Sequence, residues 1–212
     1  MSANIKWAVL ASGTGSILAA MLKQELQPDL VVVDMECPAA DIAREAGIEV
    51  LVRLREGKYN RHTDECDPDR IAYTIKLAKE LKSLGIGLVV MAGWMSVFSA
   101  DMFTLENFGG RVLNTHPALL PAFKGHRAVA DALAAGVKVT GCTIHLATWN
   151  LDDGPILGQH AVRILPDDDE PTLHERIKNQ ERHLYAEIVR QILDGKLDLA
   201  PIWQDWLAKQ VA

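Results

Sequence analysis

The sequence predicts an α/β fold, with an open, mostly parallel sheet, helices on both faces and an antiparallel strand pair in the C-terminal half. Short apolar runs alternate with helical stretches through the first half of the chain, as successive β-α-β units do. Those runs are almost continuously apolar, the pattern of strands covered on both faces. In the second half, two strand-length segments are joined by a connection too short for a crossover helix, so they pair antiparallel. Strands are expected at Trp7–Ala11, Leu30–Asp34, Glu49–Val52, Gly87–Ala92 and Arg111–Asn114, and then at Lys138–Thr148 and Ile156–Ile164. Helices are expected at Ser16–Leu26, Pro38–Ala46, Pro68–Leu84, Ala100–Glu106 and Ala128–Ala135. The polar stretch Arg53–Asp67 has no period and reads as a long loop.

The last long helix is expected to start near Thr172. Thr172 and Glu175 have the spacing of a capping box, in which side chains and backbone amides satisfy each other at the helix start. Leu173, Ile177, Leu184, Ile188 and Ile192 form an apolar stripe at helical spacing. Glu181 falls within that stripe, where a carboxylate is costly unless something pairs with it. Its partner is either Lys178, one turn back, or a ligand. The acidic run Asp167-Asp168-Asp169-Glu170 reads as a solvated loop, and the tail from Gly195 as irregular.

With 212 residues, 49% of them hydrophobic and 24% charged, the chain can bury a core without covalent staples and fits one large domain. A net charge of −6 and the lack of a long basic run speak against a nucleic-acid surface. No apolar run reaches membrane-spanning length. Cys37, Cys66 and Cys142 form neither a CxxC pair nor a disulfide framework, which points to a reducing, cytoplasmic setting. The histidines show no ligand spacing with carboxylates or cysteines, so no metal is expected.

Three segments carry chemistry. Ser12-Gly13-Thr14-Gly15-Ser16 follows the first strand and opens the first helix. Small residues there would let backbone N–H groups cradle a phosphate at a helix amino end, or would simply make a tight turn. The third glycine of a dinucleotide fingerprint would fall at Leu18, so a monophosphate suits the turn better. In Leu113-Asn114-Thr115-His116-Pro117, period-two alternation points Asn114 and His116 the same way at a strand's carboxyl end, where open α/β sheets bind ligands. An amide beside a protonatable imidazole suits a carbonyl that becomes an oxyanion. Leu151-Asp152-Asp153-Gly154-Pro155 is ordinary turn chemistry, but it could also supply the carboxylate that keeps His116 charged. His145 serves equally as pocket wall or core.

These segments resemble the folate-dependent glycinamide ribonucleotide formyltransferases, from Ile5 to about Gly195. The resemblance also rests on Leu10-Ala11-Ser12-Gly13-Thr14-Gly15-Ser16, Val90-Met91-Ala92-Gly93-Trp94-Met95, the continuation Ala118-Leu119-Leu120-Pro121, and Glu175-Arg176-Ile177-Lys178-Asn179-Gln180-Glu181. It implies a single Rossmann-like formyltransferase domain over residues 1–212, with a phosphate-binding half over about 1–115 and a folate and catalytic half over about 90–195. It implies Asn114, His116 and Asp152 as catalytic residues, and prefers Asp152 to Asp153. The substrate phosphate would sit on Gly13, Thr14, Gly15, Ser16 and Ile17, and the glycinamide end on Lys178, Asn179, Gln180 and Glu181. The co-substrate 10-formyltetrahydrofolate would lie along Met95, Ser96, Val97 and Phe98, and along Asn114 and Thr148, Trp149, Asn150, Leu151 and Asp152, with Arg61 at its glutamate tail. The implied protein is a monomer or homodimer of purine biosynthesis that takes small-molecule substrates. Formylation of an amino-sugar nucleotide, or folate binding without catalysis, are the alternatives. The chain departs from the family's frequent residues with Ile17 in place of Asn, Ser96 in place of Arg, and Lys124 in place of Pro before Gly125.

Overall fold

The computed structural model describes residues 5–54 and 67–210. Arg61 and Cys66 therefore lie outside the described residues. Among the described residues, seven strands form one sheet in the order β3-β2-β1-β4-β5-β6-β7. They are β1 (Trp7–Ala11), β2 (Leu30–Val33), β3 (Glu49–Val52), β4 (Leu88–Met91), β5 (Val112–His116), β6 (Val139–Leu146) and β7 (Ile156–Arg163). The first five are joined by parallel pairings, and β6 pairs antiparallel with β7, as the sequence predicts. Among the described residues they are accompanied by the helices α1 (Ser16–Lys23), α2 (Pro38–Glu45), α3 (Pro68–Ser83), α4 (Ala128–Ala134), α5 (Glu170–Leu193) and α6 (Leu199–Gln210). Among the described residues no helix is long and apolar enough to cross a membrane.

Contacts divide the chain into two compact units, Met1–Leu113 and Asn114–Ala212. In the first, β1, β2 and most of β4 are buried along their whole length, which accounts for their unbroken Val, Leu and Ala runs. Gly15 ends the turn after β1 with φ 69°, and a Cβ there would lie 2.8 Å from Ala39 Cα. Only glycine permits both that backbone conformation and the close approach of α2. The amino end of α3 is capped by the Asp67 carboxylate, which accepts the Asp69 and Arg70 amides, an arrangement generally worth about 1 kcal/mol. Arg53, at the start of the expected loop, binds Glu80 on α3 through a 2.6 Å bond from its Nε.

In the second unit, Val129, Cys142, Val162, Leu173 and Ile177 bring α4, β6, β7 and α5 into one apolar cluster. Along α5, Leu173, Ile177, Ile188 and Ile192 are buried as their spacing predicts, Glu181 with them, while Leu184 is half-buried.

Four local expectations are corrected. The segment Ala100–Glu106 is a single 3-10 turn over Ala100–Phe103, because Thr104 is extended and Asn107 Nδ2 takes the Asp101 carbonyl at 2.7 Å. Helix α5 begins before Thr172: Asp169 is its N-cap, and Thr172 is the N3 partner in the capping box. The run Asp167–Glu170 is accordingly not merely solvated, since Asp168 also clamps Arg176 with both carboxylate oxygens. The tail is not irregular, because α6 buries Leu199, Trp203 and Trp206 along one face.

Candidate active site

Strand β5 carries Asn114 and His116 on one face and Thr115 on the other. Burial leaves His116 4% exposed, and both ring nitrogens meet oxygen. Nε2 lies 2.7 Å from the Phe123 carbonyl, and Nδ1 lies 3.3 Å from Asp152 Oδ2. A carbonyl can only accept, so Nε2 carries a proton. Nδ1 is the nitrogen turned toward the Asp152 carboxylate.

Asp152 is 7% exposed and sits in the turn between β6 and β7 with φ 52°. A short polar side chain tolerates that left-handed conformation better than most. Two residues on, a Cβ at Gly154 would fall 1.8 Å from the Leu146 carbonyl oxygen, so the turn requires glycine there. Asp152 Oδ2 also accepts the Gly125 amide at 2.8 Å, and its Oδ1 lies 3.8 Å from His145 Nε2. The carboxylate thus stands between two imidazoles.

The two imidazoles have different partners. His145 Nδ1 lies 3.0 Å from the Leu146 carbonyl, which fixes its proton on that nitrogen. Burial pushes the His145 pKa down, more strongly than the Leu146 carbonyl and Asp152 pull it up, and the ring is neutral. Its Nε2 therefore accepts from Asn114 Nδ2 at 3.4 Å. This orients the Asn114 amide and leaves its second N–H for another acceptor. A register shift in the β6–β7 ladder at Ile144/His145 marks the bulge beside this ring, and bulges re-aim side chains.

A buried amide donor beside an imidazole that faces a carboxylate can stabilise an oxyanion and move a proton. The formyl transferase model matches residues 5–189 of the chain. The chain belongs to the formyl transferase family. Phosphoribosylglycinamide formyltransferase of Mycobacterium tuberculosis is 47% identical over 194 residues, which cover 89% of this chain and 85% of that protein. The human trifunctional purine biosynthetic protein adenosine-3 is 33% identical over 91% of this chain, which spans 19% of that longer protein. The crystal structure of glycinamide ribonucleotide transformylase 1 from Symbiobacterium toebii superimposes with a TM-score of 0.78 at 36% identity, covering 92% of this chain and 90% of that one.

Within this formyl transferase, the remaining expected site residues are placed unevenly. Along the Met95–Phe98 segment, Met95 is exposed and Val97 half-buried, whereas Phe98 is buried and stacks on Trp94 at 5.8 Å. Ser96 is also buried, and its hydroxyl donates to Asp34 at 2.7 Å, so it presents no polar group at the surface. In the second unit, Thr148 is buried and donates to the Asn150 carbonyl at 3.0 Å, while Asn150 and Leu151 are exposed. In the first, the Gly13 carbonyl accepts the Ala39 amide at 3.1 Å, and the Ile17 side chain is buried. The α1 start has no side-chain cap, and the first intrahelical bond is made by the Ala19 amide, so amides at Ser16 and Ile17 point outward from the helix end.

Glu181 has a protein partner. The Thr115 hydroxyl donates to its Oε1 at 2.6 Å. Burial raises the Glu181 carboxyl above the usual range, against the opposing pull of Thr115, Lys178 and Arg182. Asn179 is exposed, and Lys178 and Gln180 are half-buried. Sequence reasoning missed Thr115, Phe123 and Gly125, the last two because they act through backbone atoms. It also missed Gln159, which with Thr143 anchors the segment after His116: Thr143 Oγ1 donates to the Ala118 carbonyl at 2.7 Å, and Gln159 Nε2 to the Leu120 carbonyl at 2.8 Å. Alternation placing Thr143 on the face of His145 was the available signal. Buried Cys142, pushed by desolvation up to about 12, stays a thiol and is no nucleophile.

Proposed function

We propose that this protein transfers the formyl group of 10-formyltetrahydrofolate to the amine of glycinamide ribonucleotide, in purine biosynthesis and in the cytoplasm. The observation that carries the reading is the constellation of Asn114, His116 and Asp152, in which a buried carboxylate lies 3.3 Å from one imidazole nitrogen. The substrate amine attacks the formyl carbon, a C–N bond forms, and the carbonyl oxygen becomes an oxyanion. The free Asn114 N–H and the His116 cation stabilise that oxyanion, with His116 Nε2 exchanging the Phe123 carbonyl for it. Asp152 holds His116 charged and takes part in moving the amine proton. Collapse then breaks the bond to the folate nitrogen, which leaves with a proton.

The other expected residues divide between the two substrates. The turn Gly13, Thr14, Gly15, Ser16 and Ile17 takes the substrate phosphate, and at Ile17 it does so through the backbone amide alone, since that residue has no polar side chain to add. Lys178, Asn179, Gln180 and Glu181 take its glycinamide end, and the buried Glu181 is poised for a donor because its own environment resists its charge. The folate lies along Met95–Phe98 and Thr148–Asp152, with contact from the exposed side chains of Met95 and Leu151. Arg61 is the partner for its glutamate tail. No metal takes part.

An acceptor panel tests the reading. Loss of 10-formyltetrahydrofolate is followed by absorbance with glycinamide ribonucleotide, an amino-sugar nucleotide, or no acceptor. Turnover that depends on glycinamide ribonucleotide is expected; equal or faster turnover with the amino-sugar nucleotide would reassign the substrate.

A further inference from the structure

The turn that carries Asp152 is held from one side by hydrogen bonds and from another by tryptophan rings. Trp149 is half-buried, three residues before Asp152. Its ring lies 5.0 Å from Trp206 and 6.4 Å from Trp203, in tilted and edge-on arrangements. Trp203 and Trp206 stack on each other at 4.9 Å, and both are buried. They belong to α6, whose buried residues Leu199, Trp203 and Trp206 follow helical spacing, so the apolar face of that helix is the one that meets Trp149. Helix α6 lies beyond residue 189, where the formyl transferase match ends.

Asn150 is exposed and Leu151 is 62% exposed, and the polar fastenings of the turn include Thr148 to the Asn150 carbonyl, Gly125 and His116 to Asp152, and the Lys124–Asp153 ion pair. Aromatic pairs in tilted and edge-on geometry hold each other more firmly than their area alone implies. Fixing one ring three residues from Asp152 restricts the backbone on which that carboxylate must meet His116.

We propose that Trp203 and Trp206 are positioning residues: α6 braces Trp149, and through it the turn that sets Asp152 and the folate-facing side chains. The kinetic part rests on the function proposed above; the structural part does not. Loss of the brace frees the turn and misplaces Asp152 and Leu151 together, so productive folate binding weakens while phosphate recognition at the α1 end is untouched.

The experiment uses the full chain with Trp206→Ala, and Trp206→Leu as a second variant that keeps apolar bulk on α6. Hydrogen exchange is measured on peptides covering the turn from Ala147 to Pro155, on α5, and on β1–α1. At least tenfold faster exchange in the turn, with α5 and β1–α1 near the parent rate, is expected in both variants. The same variants are expected to show a lowered kcat, from the displaced Asp152, and a KM for 10-formyltetrahydrofolate raised about tenfold, with the KM for glycinamide ribonucleotide within twofold. Trp206→Phe, which restores a ring, returns both readouts to within about threefold of the parent. Unchanged exchange in the turn, or equal acceleration everywhere, overturns the brace. A parent without acceptor-dependent turnover overturns the proposed function instead, and the exchange result still decides the brace.

Discussion

Replacing Asp152 by asparagine removes a charge while leaving the shape of the site nearly intact. The asparagine oxygen can still accept the Gly125 amide and face His116 Nδ1, the positions 2.8 Å and 3.3 Å from Oδ2. Its amide nitrogen can face His145 Nε2, which carries a lone pair because the Leu146 carbonyl holds the His145 proton on Nδ1. The fold is therefore expected to survive, and what disappears is the attraction between a carboxylate and the His116 cation. Two unit charges 3.3 Å apart interact by about 5 kcal/mol at an effective dielectric of ~20. The retained hydrogen bond offsets part of that, leaving about 3–4 kcal/mol, or roughly a 100- to 1000-fold loss in kcat. Because the His116 cation that Asp152 holds matters most when the oxyanion forms, kcat and kcat/KM should fall alike, with substrate KM values little changed. Steady-state formyl transfer measured beside a thermal melt checks this. A folded Asp152→Asn variant whose kcat is within about fivefold of the parent would refute the role given to the carboxylate.

Two further predictions concern titration. The Arg176 guanidinium holds the Asp168 carboxyl down to about 2, so this group adds stability above its unfolded value near 3.9 that is lost as pH falls toward about 2. Asp168→Asn should lower the melting temperature at pH 7, and the two proteins should converge near pH 2; a constant difference across that range would contradict the clamp. Glu181 is the opposite case, since burial raises its pKa and its charge destabilises the fold as pH rises through the ordinary carboxylate range. Glu181→Gln, which can still accept from Thr115, should melt no lower than the parent at pH 8, lose that advantage near pH 4, and bind glycinamide ribonucleotide at least tenfold more weakly. Unchanged ribonucleotide affinity would mean that Glu181 serves Thr115 alone.

Much of this molecule was legible in sequence, for identifiable reasons. The parallel strands announced themselves because β1, β2 and β4 are buried on both faces and tolerate only apolar side chains. Asn114 and His116 could be read as one site because alternation along a strand is rigid. Glu181 stood out because it interrupts an apolar stripe at a position that proved to be buried. The meeting of Asp152 with His116 could not be read, because it depends on the β6–β7 hairpin and on a turn whose key φ is left-handed. The Phe123 carbonyl and Gly125 amide were invisible because any residue supplies those atoms.

The corrections have similarly local causes. The hydroxyl of Ser96, a residue expected along the folate, is engaged by Asp34, a partner 62 residues away. Helix α6 lies in the tail that the sequence reads as irregular from Gly195. Gly195 instead follows the end of α5 with φ 70°, and Pro201 stands in the first turn of α6, where no backbone N–H is needed. Pro171 was the corresponding overlooked sign for α5, since it lies one residue inside a helix capped by Asp169.

The most direct test of the central claim is formyl transfer by the parent and by Asn114→Ala, with glycinamide ribonucleotide present or absent. The account predicts turnover only when the acceptor is present, and a loss of about 100- to 1000-fold in the folded variant, as for removal of one oxyanion donor. Folate consumption without acceptor, or a variant as fast as the parent, would contradict it.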